Sequence, residues 1–583
     1  MSDRAARATG AAATIEALVQ FAHEPGDDGE RMERCIGRVM EVDAGGDIGV
    51  AAVCDAGARH RREVGEHRAE GDPGGRGRPA RDRRVAEEVH ASYYHLDVLV
   101  VGLDLGTQSL KAVVCDEALV VRGQCSIEYA TSHPLPDRAE QDPRLWEAAL
   151  APAIGGALEA AGVRADDIAA IALVGQLDGC VAVDPSCSPL HPALIWQDRR
   201  ATEQATRAAP AMVFTLTGQV ADASHMAPKL CWLREHGVRA ARFHQPVSYL
   251  VERLTGTAAI DPSLASTTML LDLATARWAP TLLELFDVTP EQLPAIRPTC
   301  ELAGELTETG AGLTGLCVGT LVAVGTGDDF ATPLGAGVTA PGPIVCAIGT
   351  AEVVGALAST PILDRHEAEP MVETHAYPTG AFFVENPGWL SGGAVRWAVR
   401  MLGLADDAAL DALAATAPPG AGGVTFIPAL AGAMTPVWRP HARGTLHGLA
   451  AGHDRAHLAR AVLEGIAFAC RDVVDRLAAL GLATDRVLLL GGGSRSRVWS
   501  QLRADVLGIA HQVAASADTC PIGAAMIATV TAGIHRDLAT AAALVPPPSD
   551  AFIPGISLDE PYQRYRRLVA QLAPLALTPW PHP

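Results

Sequence analysis

The hydrophobic rhythm of this chain changes near His95. From there the runs LDVLVVGLD (96–104), LKAVVCD (110–116) and LVVRGQCSIEY (119–129) are short and valine-rich, with turns at GTQS and DEA between them. That pattern predicts three successive strands in a meander. A helical period follows over PRLWEAALAPAIGGALEAAG (143–162), and DIAAIALVGQ (167–176) then reads as a buried strand ending at a polar turn. A second unit of similar design starts near Ile344, where IVCAIGTAEVVGAL repeats the order of VVGLDLGTQSLKAVV: a buried strand, a Gly-Thr turn, a strand leading away. Helical periods over 455–481 and 497–508 bracket the strand RVLLLGGG (486–493). Strands alternate with helices, so the expected class is α/β with a duplicated lobe. Proline-glycine punctuation at 341–343 and 418–420 supplies breaks, and the first is the expected lobe boundary.

Composition narrows the class. The chain has 583 residues, too many for one compact core, and is 49% hydrophobic and 19% charged, inside the globular range. No apolar run reaches the roughly 20 residues that a membrane helix needs, so no membrane partner is expected. With 46 basic against 67 acidic residues the net charge is −21, which repels a nucleic-acid backbone. Residues 1–95 hold 14 Arg, no Lys and 18 acidic residues around a Gly-, Pro- and Arg-rich centre, and are expected to be disordered or a spurious extension. Twelve cysteines are sparse and show no zinc-binding spacing. Cys115, Cys180, Cys346 and Cys470 sit among Val, Ile and Ala and read as small buried hydrophobes. The first residues lack the apolar stretch and cleavage site of a secretory signal, so a cytoplasmic location is expected.

Four turns carry candidate chemistry. In Gly102-Leu103-Asp104-Leu105-Gly106-Thr107-Gln108-Ser109 a carboxylate closes a strand, and a glycine and hydroxyls follow. Such a turn can face a phosphate with N–H groups and hydroxyls while the carboxylate holds a metal or its water; an ordinary hairpin is the alternative. Gly349-Thr350 is a second turn of this kind. Gly491-Gly492-Gly493 offers a flat surface to an adenine or ribose, or else only starts a helix. At Gly325-Thr326-Gly327-Asp328-Asp329 two carboxylates are adjacent. As strand-end residues pointing to opposite sides, one could take a proton while the other binds a substrate hydroxyl; as a pair they could instead cap the next helix.

These turns stand among further pieces in order: AEQDPRLWEAA, ALIWQDRRA, HMAPKLCWLREH, YLVERLTGTAAIDPSLASTTMLLDL, VGTGDDFATPLGAG, TPVWRPHARGTLHGL, RAHLARAVLEGIAFACRD and LLLGGGSRSRVWSQLRADVLG. From about Leu96 to about Leu575 the chain thereby resembles the FGGY carbohydrate kinases, most closely the xylulokinase branch. The resemblance implies the two-lobed actin-like ATPase (ribonuclease H-like) fold, with lobes over 96–343 (sugar and phosphate) and 344–575 (nucleotide) and a cleft between them. It implies ATP and Mg²⁺, with Asp104 organising the metal directly or through water, and Thr107 and Lys111 near the transferring phosphate. It also implies Thr350 as the second-lobe phosphate contact, Gly491 and Gly492 at the nucleotide, and Asp328 as the base. Phosphoryl transfer asks for this: positioning, charge neutralisation and one proton acceptor. Lys111 gains weight because only it and Lys229 are lysines in the whole chain.

The chain departs from the family at the acceptor. Xylulokinases have Met-His after the Gly-Gln where this chain has Leu177-Asp178. An ionised Asp accepts from two adjacent hydroxyls and cannot donate, which suits a polyol or a differently oriented ketose. The family's Gly-Glu-Arg-Thr-Pro is here Gly432-Ala433-Met434-Thr435-Pro436. Leu177, Asp178 and Asp329 are the expected substrate contacts. The leading expectation is transfer of the ATP γ-phosphate to a pentulose, D-xylulose first. A four- or five-carbon polyol such as erythritol is the alternative within the class, and a catalytically silent sugar sensor the alternative outside it. Asp104, Thr107, Asp328 and Thr350 argue against silence, since a sensor needs no base. The oligomeric state stays open, a homodimer among the options.

Overall fold

A computed structural model describes residues 98–365 and 369–577, so the expectation for residues 1–95 lies outside the described residues. The first half opens with the meander β1 (Leu99–Leu105), β2 (Ser109–Cys115) and β3 (Val121–Glu128), all antiparallel neighbours. Helix α1 (Pro143–Ala161) follows, with Asp142 accepting from the Arg144 N–H at its start and Gly162 in the left-handed region at its end. Strand β4 (Ile168–Gly175) returns parallel to β1. Helix α2 (Met226–Glu235) lies in the long segment that leads to β5 (Leu302–Glu305), β6 (Leu321–Ala323) and the short β7 (Thr326–Gly327), after which comes α3 (Asp328–Gly335). The sheet order is β5-β6-β4-β1-β2-β3, with β7 also paired to β4.

The second half repeats this start. Strands β8 (Ile344–Ile348) and β9 (Ala351–Ala358) form an antiparallel hairpin, followed by β10 (Glu373–Ala376) and β11 (Phe382–Leu390). Helices α4 (Gly392–Met401) and α5 (Arg455–Ala479) precede β12 (Arg486–Leu490), which lies parallel to β8 as β4 lies parallel to β1. Then come α6 (Arg497–Leu507), β13 (Ala510–Val513), α7 (Thr519–Thr531) and β14 (Asp550–Phe552). The order is β10-β11-β9-β8-β12-β13-β14. Two sheets that each begin with a hairpin whose first strand later gains a parallel neighbour make the duplicated, two-lobed actin-like ATPase fold.

Each half has its own core, one around Trp146 and Ile171 and one around Phe468 and Val487. A third apolar cluster joins them. It gathers Val100 and Ala172 of the first sheet, Val345 and Leu488 of the second, Phe330 and Leu334 of α3, and Ala524 and Ala528 of α7. Helix α7 falls between β13 and β14 of the second sheet in sequence yet lies against β1. A Cβ on Gly102 would stand 2.2 Å from the Pro521 carbonyl, one on Gly335 1.9 Å from that of Thr519, and one on Gly523 2.2 Å from that of Ala331. Glycine at these positions lets α3, α7 and β1 approach backbone to backbone. Cys115, Cys180, Cys346 and Cys470 are wholly buried, as their apolar neighbours predicted. Among the described residues no helix is long and apolar enough to cross a membrane.

Candidate active site

The strand ends of both sheets and the start of α3 open onto one cavity of about 420 Å³. Of the residues singled out in the sequence, Asp104, Thr107, Lys111, Leu177, Asp178, Asp328, Asp329, Thr350 and Gly491 all line it. Gly492 is outside that lining; it is exposed at the start of a short 3₁₀ turn, and a Cβ there would meet nothing.

The first turn is built by strand register. Asp104 of β1 stands directly opposite Lys111 of β2, and cross-strand partners share one face of a sheet. Between them the Gly106 N–H donates to the Ser109 carbonyl at 3.0 Å, closing the hairpin. Gln141 Nε2 holds the Thr107 carbonyl at 2.6 Å and Trp196 Nε1 donates to Thr107 Oγ1 at 2.9 Å. Lys111 Nζ is 2.6 Å from Asp518 Oδ1, just before α7, so the amine is shared with the second half. Burial pushes the Asp104 carboxyl up to about 6 although Lys111 pulls it down.

Asp328 and Asp329 are not strand-end residues, which corrects the sequence expectation that they point to opposite sides of a strand. Gly327 is extended and serves as the helix N-cap, so the two carboxylates are the first helical residues of α3. The change follows from the short β7, which leaves the ladder at Gly327. Burial raises the Asp328 carboxyl well above the ordinary range, and Asp329 and Asp104 add to the effect. Asp329 is raised to about 6 by burial and by Asp178, with His375 opposing. Both carboxyls hold protons more readily than exposed ones do.

The second half supplies the facing wall. The Gly349 N–H donates to the Ala351 carbonyl at 2.9 Å, and Arg396 of α4 donates to Thr350 Oγ1 at 2.8 Å, which places a guanidinium at this turn. Gly491 has φ 77° and a Cβ there would stand 2.8 Å from the Ile348 carbonyl, so this turn requires glycine.

At the other end of the cavity Asp178 occupies the left-handed region, φ 63°, which Asp tolerates better than most residues. Its N–H donates to Gln245 Oε1 at 3.0 Å and its Oδ1 lies 3.0 Å from His225 Nδ1. Oδ1 is therefore engaged within the protein. Lys229, wholly buried, donates to the Asp178 carbonyl at 2.9 Å and the Ile195 carbonyl at 2.8 Å, and burial lowers its amine to about 8. Sequence reading passed over Trp196, His225, Lys229, Arg396 and Asp518. Lys229 alone carried a signal, as one of two lysines.

Among the lining residues five carboxylates (Asp104, Asp178, Asp328, Asp329, Asp518) face one amine, Lys111. Of these, the Asp104 carboxylate beside the first hairpin turn offers hard oxygen donors of the kind that a divalent cation such as Mg²⁺ takes. Hairpin turns from the two sheets, with the carboxylates of Asp178, Asp328 and Asp329 in the same cavity, can hold a polyphosphate against a hydroxyl compound.

The comparisons with known proteins agree. The FGGY family of carbohydrate kinases matches twice, its N-terminal domain over residues 99–335 and its C-terminal domain over 344–532. Xylulose kinase of Escherichia coli (strain K12) is 32% identical over 492 residues, covering 82% of this chain and all of its own. Glycerol kinase of Gloeobacter violaceus is 34% identical over 463 residues, covering 77% and 91%. The crystal structure of xylulose kinase from Rhodospirillum rubrum superposes with a TM-score of 0.74 at 28% identity, covering 82% of this chain and 100% of the other.

Proposed function

Since the chain belongs to the FGGY family of carbohydrate kinases, we propose that it transfers the γ-phosphoryl group of ATP to a hydroxyl of a small open-chain sugar, a pentulose such as D-xylulose being the leading acceptor. One observation carries the reading: Asp328, a half-buried carboxylate with raised proton affinity, shares a cavity with Asp104, Thr107 and Lys111. Asp328 takes the proton of the acceptor hydroxyl. Lys111 and the Thr107 and Thr350 turns orient the phosphates, and the Gly491 turn receives the nucleotide. Asp104 is the residue to hold Mg²⁺, directly or through water, and the bound cation supplies neutralisation of phosphate charge. The protein's own part is to align nucleophile and phosphorus and to keep water out, the terms on which phosphoryl transfer chiefly depends.

A second acceptor reading, a four- or five-carbon polyol, is favoured by Asp178, an acceptor-only group, and by the glycerol kinases among the relatives. The experiment that tests both is ADP release with ATP and Mg²⁺ over xylulose, ribulose, erythritol, arabinitol and glycerol. A pentulose with the highest kcat/KM supports the first reading and a polyol the second. ATP turnover that no acceptor stimulates overturns both.

A further inference from the structure

His225 lies outside the cavity lining but in contact with it, where it N-caps α2 and is 3% exposed. Its ring sits between carboxylates of the two halves. Nδ1 is 3.0 Å from Asp178 Oδ1, while Nε2 is 3.1 Å from the Val220 carbonyl and 3.7 Å from Glu373 Oε1 on β10. Both nitrogens thus face acceptors, and imidazole has two N–H donors only as the cation. Gln219 Nε2 also lies 3.1 Å from Nδ1, but a bare Nδ1 would turn its lone pair onto the Asp178 oxygen.

The other charged groups around the ring fit the same state. Lys229 of α2 grips the Asp178 carbonyl, and Asp329 at the start of α3 repels Asp178. Behind Glu373, His375 Nε2 is 3.7 Å from Glu373 Oε2 and 3.4 Å from Glu385 Oε1 on β11. Burial acts to raise the Glu373 carboxyl, yet His225 and His375 overcome it and hold it near 2, so Glu373 is ionised. Burial likewise opposes charge on His225, and Asp178 and Glu373 overcome it, raising its proton affinity well above the ordinary value. The link to the second half is structural as well: the Val220 N–H donates to Glu373 Oε1 at 2.6 Å and the Thr374 N–H to the Gly218 carbonyl at 3.0 Å.

We propose that His225 is a positioning residue for acceptor choice: as an imidazolium it engages Asp178 Oδ1, leaves Oδ2 to receive the acceptor's hydroxyls, and ties that carboxylate to β10 of the second half. The proposal rests on the carbohydrate-kinase reading of the cavity. A fixed acceptor oxygen selects a carbon that carries a hydroxyl and rejects one that carries a carbonyl, whose lone pairs would face the carboxylate unpaired. The class of acceptor is therefore a polyol, or a ketose whose carbonyl lies away from Asp178.

The test has an arm that needs no acceptor. In full-length protein labelled with ¹⁵N-histidine, with H225N identifying the resonance, both His225 nitrogens carry protons at pH 7.5. In E373Q the ring deprotonates at a pH lower by roughly one unit, the usual reach of one neighbouring charge. A neutral ring in the wild type, or an unmoved midpoint in E373Q, overturns the proposal. In the kinetic arm H225N raises the acceptor KM roughly tenfold, equivalent to about 1.4 kcal/mol, with kcat and the ATP KM within about threefold. A fall in kcat at unchanged acceptor KM overturns it. If the wild type phosphorylates no acceptor, the kinase reading fails, and the NMR arm still decides the state of His225.

Discussion

Asp328 is a helix-start carboxylate that lines the cavity, and that setting makes two expectations. Asp328→Asn keeps the shape and removes the proton acceptor, so kcat should fall by roughly 10² to 10⁴ while acceptor binding stays within a few fold, measured by steady-state kinetics and calorimetry. Turnover near that of the wild type would make Asp328 a helix-start residue only. The sign of the pH dependence follows from the raised carboxyl: Asp328 is the working base only when deprotonated, so kcat/KM rises with pH along a limb above the ordinary carboxylate range. Asp329 contributes to that elevation, and Asp329→Asn should shift the limb to lower pH. Asp178→Asn preserves tolerance of the left-handed backbone but adds a donor to an acceptor-only group. The ranking among xylulose, ribulose, erythritol and arabinitol should change by roughly tenfold or more, with the ATP KM moving much less. An unchanged ranking would place Asp178 away from the acceptor.

Among the elements, hairpins were the most legible. The valine-rich runs of β1 to β3, the Gly-Thr turn between β8 and β9, and the helical periods of α1, α5 and α6 follow from spacing alone, because an apolar run, a turn pair and a helical period are each set by neighbouring residues. The start of α3 was not legible, since strand and helix both accept the pattern Gly-Asp-Asp and only the loss of ladder pairing at Gly327 decides. Nor could α7 be assigned to its place. Its small residues allow close packing against either sheet, and the approach of the Pro521 carbonyl and the Ala525 N–H to Gly102 of β1 seats it on the first. Gly523→Ala drives a methyl into backbone that cannot rotate away, a cost of about 1 to 3 kcal/mol. A lowered melting temperature is expected, together with weaker catalysis because α3 carries Asp328. A variant as stable and active as the wild type would show that α3 and α7 yield.

For the whole molecule, the cavity is shared by both halves: Asp104, Asp178 and Asp328 belong to the first, Thr350 and Gly491 to the second. Lys111 and Asp518 meet across it, while the third core and the contacts between β10 and the 218–220 segment hold its base. Ligands that touch both walls favour approach of the walls, so acceptor and nucleotide should bind cooperatively. The affinity of each for the protein should change by about 5- to 150-fold in the presence of the other, by the same factor in both directions. Titration calorimetry with a non-transferring ATP analogue checks this, and independent binding would count against closure.

The sequence by itself determined the α/β class, the repeat of a buried strand, a Gly-Thr turn and a strand leading away, and the turns that hold Asp104, Thr107, Thr350 and Gly491, because periodicity and turn chemistry are local. It also singled out Asp178 as a departure from the family pattern. The tertiary structure alone decided which charges meet. Lys111 and Asp518 lie 407 residues apart, and His225 joins Asp178 to Glu373 across two sheets. No spacing along the chain encodes such pairs, since each partner is a lone charged residue with no period of its own. Their meeting depends on the register of β1 with β2, the docking of α7 and the packing of β10, all consequences of long-range burial.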